Sequence, residues 1–236
     1  MKNNHLIWAA LLVALGIMLA GMLVGKGISS VQESQRVVTV KGLSEKEVPA
    51  DRVTWPIMFK EVSNDLLSLY NSIETNNAKV IAFLKKNGVK DDEIIVSPPD
   101  ILDFQAERYV SQEIRYRYNG TSIITVSSHD VDNVRRLIPR IAELIREGVT
   151  ISANKQYENA ISYNYSGLND IKPGMIEEAT KNARVSAEKF ASDSGSKLGK
   201  IKSATQGQIS IYDRDENSPH IKTVRVVTTI VYYLKD

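Results

Sequence analysis

"KNARVSAEKFASDSGSKLGKI", residues 181–201, decides how this chain is read. Its tail, "GSKLGK", has the look of a phosphate loop. Such a loop needs G-x-x-x-x-G-K-[ST] leaving a strand and opening a helix, so that free N–H groups face the phosphate. Here only three residues separate Gly195 from Gly199, Ile201 stands at the Ser/Thr position, and the glycines follow a helical pattern. A helix C-terminus presents carbonyls and partial negative charge, which repels anions. The packing reading accounts for more residues. Ile176, Ala179, Ala183, Ala187, Phe190 and Ser194 recur at three- and four-residue steps, a narrow stripe that lets a helix lie close on a sheet. Gly195 then serves as the C-cap, with Leu198 as its apolar contact.

Strands and helices alternate upstream of this stretch. "RVVTVKG" (36–42) reads as a strand, and "RVTWPIMFKE" (52–61) as another, with Val53, Trp55, Ile57 and Phe59 on one face. Pro56 cannot donate to a ladder, so that strand is expected at an edge or with a bulge. Asn64 caps the next helix, whose stripe is Leu66, Tyr70, Ile73, Val80 and Leu84, ending at Gly88. "DEIIVSPPDILDFQ" (92–105) and "QEIRYRYNGTSIITVSS" (112–128) read as strands, the first broken by Pro98 and Pro99. Asn119-Gly120 either turns a hairpin or bulges one long strand. The helix over 130–147 buries Val134, Leu137, Ile141 and Leu144, and Pro139 predicts a kink in it. A strand through "YENAISYNYS" (157–166) follows, then the helix of the opening stretch, then strands near 200–213 and 221–234.

Strand-helix-strand-strand thus occurs over about 52–127 and again over about 150–235. The expectation is an α+β fold of mainly antiparallel sheets with helices on one face, built from a duplicated unit. One N-terminal transmembrane helix precedes it. Residues 6–24, "LIWAALLVALGIMLAGMLV", carry no charge and lie between Lys2 and Lys26. At ~1.5 Å per residue the run approaches a ~30 Å hydrocarbon core, and it is longer than a ~7–15-residue signal-peptide core. An uncleaved anchor is the first reading and a removed signal peptide the second. The domain plan is 1–27 anchor or signal segment, 28–35 linker and 36–236 folded domain. The chain is expected to sit in the inner membrane through residues 6–24, with its bulk outside the cytoplasm.

The 236 residues include 30 Lys and Arg against 28 Asp and Glu, with no long run of either sign, so nucleic acid is not an expected partner. With no cysteine, disulfides, thiolate catalysis and cysteine-ligated zinc are excluded.

A family resemblance rests on "ATKNARVSAEKFASDSGSKLGK" (179–200), on "VTVKGLSEKEVPADRV" (38–53) with its Pro49-Ala50-Asp51 turn, and on "VDNVRRLIPRIAELIREGVTI" (131–151). These are similar to the C-terminal helix, opening strands and middle helix of SIMPL-domain proteins. Ser192 is displaced by one from an alanine sometimes found there, and Pro139 departs from the family's helix. The resemblance implies a bacterial exported or membrane-anchored α+β protein, in some members homo-oligomeric or linked to oxidative stress. A eukaryotic branch resembles a kinase-binding signalling adaptor. No catalytic residue set and no cofactor come with it.

The residues offer little chemistry. His5, His129 and His220 have no partner at metal-ligand spacing, so no metal site is expected. "DRDE" (213–216) and "DDE" (91–93) read as solvated turns rather than calcium loops. Tyrosine is the one accent: nine of ten lie after residue 100. On strands, Tyr116 with Tyr118, and Tyr163 with Tyr165, share a face and are the binding candidates. The leading expectation is a non-enzymatic, membrane-tethered binding or assembly module that associates with itself. The second is a small-molecule-binding protein or an enzyme using Tyr, Lys and Asp side chains. The third is a signalling adaptor.

Overall fold

The structure, a computed structural model, describes residues 4–33, 36–106, 115–152 and 160–235. Helix α1 spans Asn4–Glu33 and so continues through 28–33, where composition alone read a tether. Its described apolar side chains are bare: Trp8, Leu12, Ile17 and Leu23 are 67–71% exposed. Among the described residues no helix is long and apolar enough to cross a membrane.

The chain divides into two compact units. One takes Met1–Lys46, Ile171–Ile211 and Val224–Asp236; the other takes Glu47–Asp170 and Tyr212–Thr223. The boundary falls inside strands β1 (Val37–Pro49) and β9 (Ile221–Lys235).

In the central unit, β2 (Arg52–Ser63) pairs antiparallel along its length with β5 (Tyr118–Ser128). The short strands β3 (Ile94–Val96) and β4 (Asp100–Asp103) pair the far edge of β5, and β6 (Ser162–Asn164) pairs the start of β2. The two strands on β5's far edge are what Pro98 and Pro99 interrupt. Pro56 lies opposite Thr125, and the β6 ladder on its other side stops at Thr54, so the missing N–H falls where no β6 ladder needs it. One sheet face carries Val53, Trp55, Ile57, Phe59, Ile124 and Val126, all buried in one core with the helices.

Helix α2 (Leu66–Lys86) covers that face with Leu69, Ile73, Val80, Phe83 and Leu84. Leu66 and Tyr70, expected inside, are 47% and 45% exposed: the buried stripe is turned toward Leu69 and Phe83. The cap is Asp65, whose carboxylate accepts from the Ser68 amide at 2.7 Å; Asn64 instead accepts from the Arg117 amide. Gly88, at φ +87°, ends the helix: its N–H bonds the Lys85 carbonyl and the Val89 N–H bonds that of Leu84. Gly120 neither turns nor bulges β5; a Cβ there would lie 2.6 Å from Ile73 Cδ1, so the glycine lets α2 approach the strand. The helix expected over 130–147 is broken at Pro139 into α3 (Val131–Leu137), a 3-10 turn (Ile138–Ile141) and α4 (Ala142–Arg146).

In the other unit the sheet order is β1-β9-β7, with β7 (Lys197–Gln206) and β8 (Ser210–Asp213) both pairing β9. Helix α5 (Leu168–Asp193) buries Met175, Ala179, Ala183, Ala187 and Ala191. The stripe is a straight four-residue repeat, and Phe190, expected in it, is 53% exposed. Gly42 of β1 explains the small residues, for a Cβ there would lie 1.8 Å from the Ala179 carbonyl oxygen. Gly195, at φ +69°, closes α5 with Ser196 N–H bonding the Ala191 carbonyl and Gly195 N–H bonding that of Ser192. Gly199 lies in the first of two register shifts of β7, between Leu198 and Ile201, where a Cβ would lie 2.7 Å from the Tyr233 carbonyl oxygen. Of the two glycines of "GSKLGK", Gly195 therefore acts through its backbone conformation, with open space where a Cβ would stand, and Gly199 through close packing.

Each unit has the same plan. A first strand, a helix and one or two middle strands precede a last strand, which inserts between first and middle: β2-α2-β3/β4-β5 and β1-α5-β7-β9. The copy read over about 52–127 has this plan, but the one read over about 150–235 does not stand as read: its first strand is β1, and the strand at Ser162–Asn164 pairs β2 instead. The central unit is inserted between β1 and α5.

Candidate functional site

Helix α2 turns one polar face outward: Asn71, Ser72, Thr75 and Lys79 recur at helical spacing, with Asn76 buried beside them. With Glu61 of β2 and Gly148 and Thr150 after α4, they line a cleft of about 380 Å³ within the central unit. Gly148, at φ +87°, gives the turn that follows α4, again with paired amides returning to the helix carbonyls.

The cleft is organised by a buried side chain. Asn76 is only 7% exposed although it stands on the helix face that packs the core. Its Nδ2 donates to Glu61 Oε1 at 2.7 Å and its Oδ1 accepts from Lys79 Nζ at 3.1 Å. Lys79 Nζ also donates to the Glu147 carbonyl at 3.0 Å. The amide thus fixes a carboxylate and an ammonium on either side of itself. Beneath it Asn77, 5% exposed, accepts from the hydroxyl of Ser122, which is fully buried. Two adjacent buried asparagines in an apolar helix stripe are a local rule broken, which marks functional or strained places. The signal was present in sequence: Asn76 and Asn77 lie three and four residues after Ile73, and four and three before Val80, inside the core stripe.

A second polar cluster surrounds the Pro49-Ala50-Asp51 turn. Asp51 Oδ2 accepts from Ser166 N–H at 2.8 Å, Ser166 Oγ at 2.7 Å and Gly167 N–H at 3.2 Å, just before α5 begins. Desolvation raises the Asp51 pKa, but the Ser166 and Gly167 hydrogen bonds and the nearby His129 outweigh it and hold the carboxyl below its usual range. His129 Nδ1 lies 2.9 Å from the Asp51 carbonyl, which only accepts, so Nδ1 carries the proton and Nε2 accepts from Arg52 at 3.0 Å. The Ala50 amide donates to the His220 carbonyl and the Asp51 amide to that of Asn164. The turn is pinned from several chain segments, which is structural work. His220 packs edge-on against Tyr163, and burial, then the Arg135 and Arg214 charges, push its imidazole down.

The four tyrosines do not gather. Tyr116 lies outside β5, 40% exposed, with the Arg115 guanidinium 5.7 Å from its ring centre. Tyr118 opens β5 and packs on the core under Arg117, which forks onto the Asp103 carboxylate. Tyr163 is buried in β6, its phenol pushed up by burial. Tyr165 lies past the strand end and donates to the Gly167 carbonyl at 2.9 Å. Neither pair shares a strand face. The part of the expected strands at 112–114 and 157–159 lies outside the described residues. In "DDE" Glu93 accepts from the Lys90 amide and the Ser128 hydroxyl; in "DRDE" Asp215 holds Arg214 and the Asn217 amide. Among the described residues no three His, Asp or Glu side chains gather as a metal site would require.

These features define an α+β protein of two topologically matched antiparallel units. The chain belongs to the SIMPL family, described as "Protein of unknown function (DUF541)", which matches residues 38–231. It is also 25% identical over 172 residues to an "Interleukin-1 receptor-associated kinase 1-binding protein 1 homolog" of Oncorhynchus mykiss. That alignment takes in 73% of this chain and 65% of the relative, just under two thirds of the relative's length.

Proposed function

We propose that this chain is a membrane-tethered binding module whose folded part, on the extracytoplasmic face, engages an apolar surface of a protein partner. The observation that carries the reading is on α2, where Leu66, Leu67 and Tyr70 form a bare apolar ridge, 45–68% exposed, in the first turns. Apolar side chains grouped on a surface favour contact with protein over water. The fish relative, named for binding a receptor-associated kinase, supports a protein-binding role. Tethering is supported by the uncharged run at 6–24 and by the exposed apolar side chains of α1, which water would not favour all round a helix.

The full chain should pellet with membranes and resist alkaline extraction, and deletion of 6–24 should release it. A photo-crosslinker at Leu67 should trap one discrete protein, a second copy of this chain or another protein, where one at exposed Lys181 does not. A soluble full chain sinks the tether; equal trapping at the two positions sinks the ridge.

A further inference from the structure

We infer that the cleft on α2 is a binding site for a small zwitterion of the α-amino acid class. The inference stands apart from the protein-partner reading, which concerns the apolar ridge. Three observations carry it. Glu61 and Lys79 line the same cavity, yet among the described residues they make no direct ion pair. Asn76 stands between them, bonded to both, and at 7% exposure its amide cannot swing away. A carboxylate and an ammonium held apart by a rigid amide each keep hydrogen-bonding capacity directed elsewhere.

Lys79 spends two donors, on Asn76 and on the Glu147 carbonyl, and its ammonium has three. Glu61 spends one oxygen on Asn76. What remains is one N–H of positive charge and one oxygen of negative charge, side by side across an amide. The complement of that pair is a molecule with a carboxylate and an ammonium a few bonds apart. Ser72, Thr75 and Thr150 add hydroxyls, and Asn71 a second amide, for the remaining acceptors and donors. Thr75 Oγ1 donates to the Asn71 carbonyl, which leaves its lone pairs for a ligand N–H. The lining has no aromatic or large aliphatic side chain, so it offers no face for a sugar ring or an acyl chain. About 380 Å³ is at the small end of ligand sites, which run ~300–1,000 Å³.

The test is calorimetric titration of the full chain, held in detergent, with each of the common L-amino acids. Glucose, N-acetyl-alanine and alanine amide serve as the competing chemistries. At least one free amino acid should bind, and its N-acetylated and carboxyl-amidated forms should bind at least about tenfold more weakly, each having lost one charge-assisted contact. Lys79→Met and Glu61→Gln should each weaken binding about tenfold or more. Glu61→Gln, whose amide oxygen still accepts from Asn76, should leave the melting temperature near that of the parent, and Lys79→Met should lower it somewhat as Asn76 Oδ1 loses its donor. Lys79→Arg, which keeps the charge, should restore part of the affinity. Failure of every free amino acid to bind overturns the inference, as does unchanged affinity in both variants or tighter binding of glucose. Should a variant fail to melt cooperatively, the blocked ligands on the parent chain decide the matter alone.

Discussion

At the scale of single residues, two glycines have opposite roles. Gly42 has the Ala179 carbonyl oxygen 1.8 Å and the Ala183 amide nitrogen 2.5 Å from where a Cβ would stand, and both are backbone atoms with no freedom to move aside. Gly174, inside α5, has nothing within 4 Å. Gly42→Ala should therefore cost roughly 1–3 kcal/mol or more, because strand and helix must part. Gly174→Ala should be neutral or stabilising by up to about 1 kcal/mol. Urea unfolding checks the ordering, and a reversal would show that β1 and α5 do not touch as described. Asp51 sets the second expectation. Its carboxylate is held below the ordinary 3.8 by Ser166 and Gly167 in spite of desolvation. A depressed folded pKa means the contribution is complete above the unfolded value and is lost as pH falls through the folded one. Asp51→Asn should thus lower stability by about 1 kcal/mol at neutral pH. The gap between the two proteins should close only in acid below the ordinary carboxyl value. A gap that persists unchanged at the lowest pH would mean the carboxylate charge is not what the turn uses.

At the scale of elements, the helices show what periodicity can and cannot deliver. Gly88, Pro139 and Gly195 were legible because each acts through its own backbone: two adopt positive φ and one lacks an N–H. The α2 stripe was misplaced because Leu66 and Tyr70 fit the period as well as Leu69 does, and only the sheet chooses between them. The cap fell on Asp65 rather than Asn64 for a similar reason, since both are good caps and tertiary demand from the Arg117 amide claimed Asn64. The cleft was missed because asparagine and lysine on a helix read as solvent-facing, although a polar pair inside the Ile73–Val80 stripe was there to notice. On α5 the apolar count pointed to Phe190, whereas the close approach of β1 selects alanine at four-residue steps. Ala187→Leu should accordingly cost about 1–3 kcal/mol by overpacking, and Phe190→Ala should stay within about 0.5 kcal/mol. If thermal melts rank these two the other way, the stripe belongs to the face that periodicity suggested.

At the scale of the whole molecule, the controlling feature is nesting. The sequence pattern announced two strand-helix-strand-strand copies in tandem, but pairing partners decide membership, and no local signal says that β1 waits for β9. The central unit closes on itself once β5 has met β2, a register running from Val53 with Ser128 to Ser63 with Tyr118. The other unit cannot close until β9 reaches β1, with almost the whole remaining chain between them. Loop closure costs more for the longer connection, although only as its logarithm, and non-local pairings are the slow ones. If the inserted unit folds first, it brings Pro49 and Leu168 to its own surface and shortens the effective loop that the second closure must span. Folding should then be nucleated by β2, α2 and β5. Ile57→Val and Ile73→Val, both in the central core, should slow refolding with small effect on unfolding. Val38→Ala and Ile230→Val, in the other core, should mainly speed unfolding. Chevron analysis of the four variants reads this directly. Slower refolding in Val38→Ala and Ile230→Val, with the central variants affecting only the unfolding arm, would mean that the long closure comes first and that the inserted unit folds upon it.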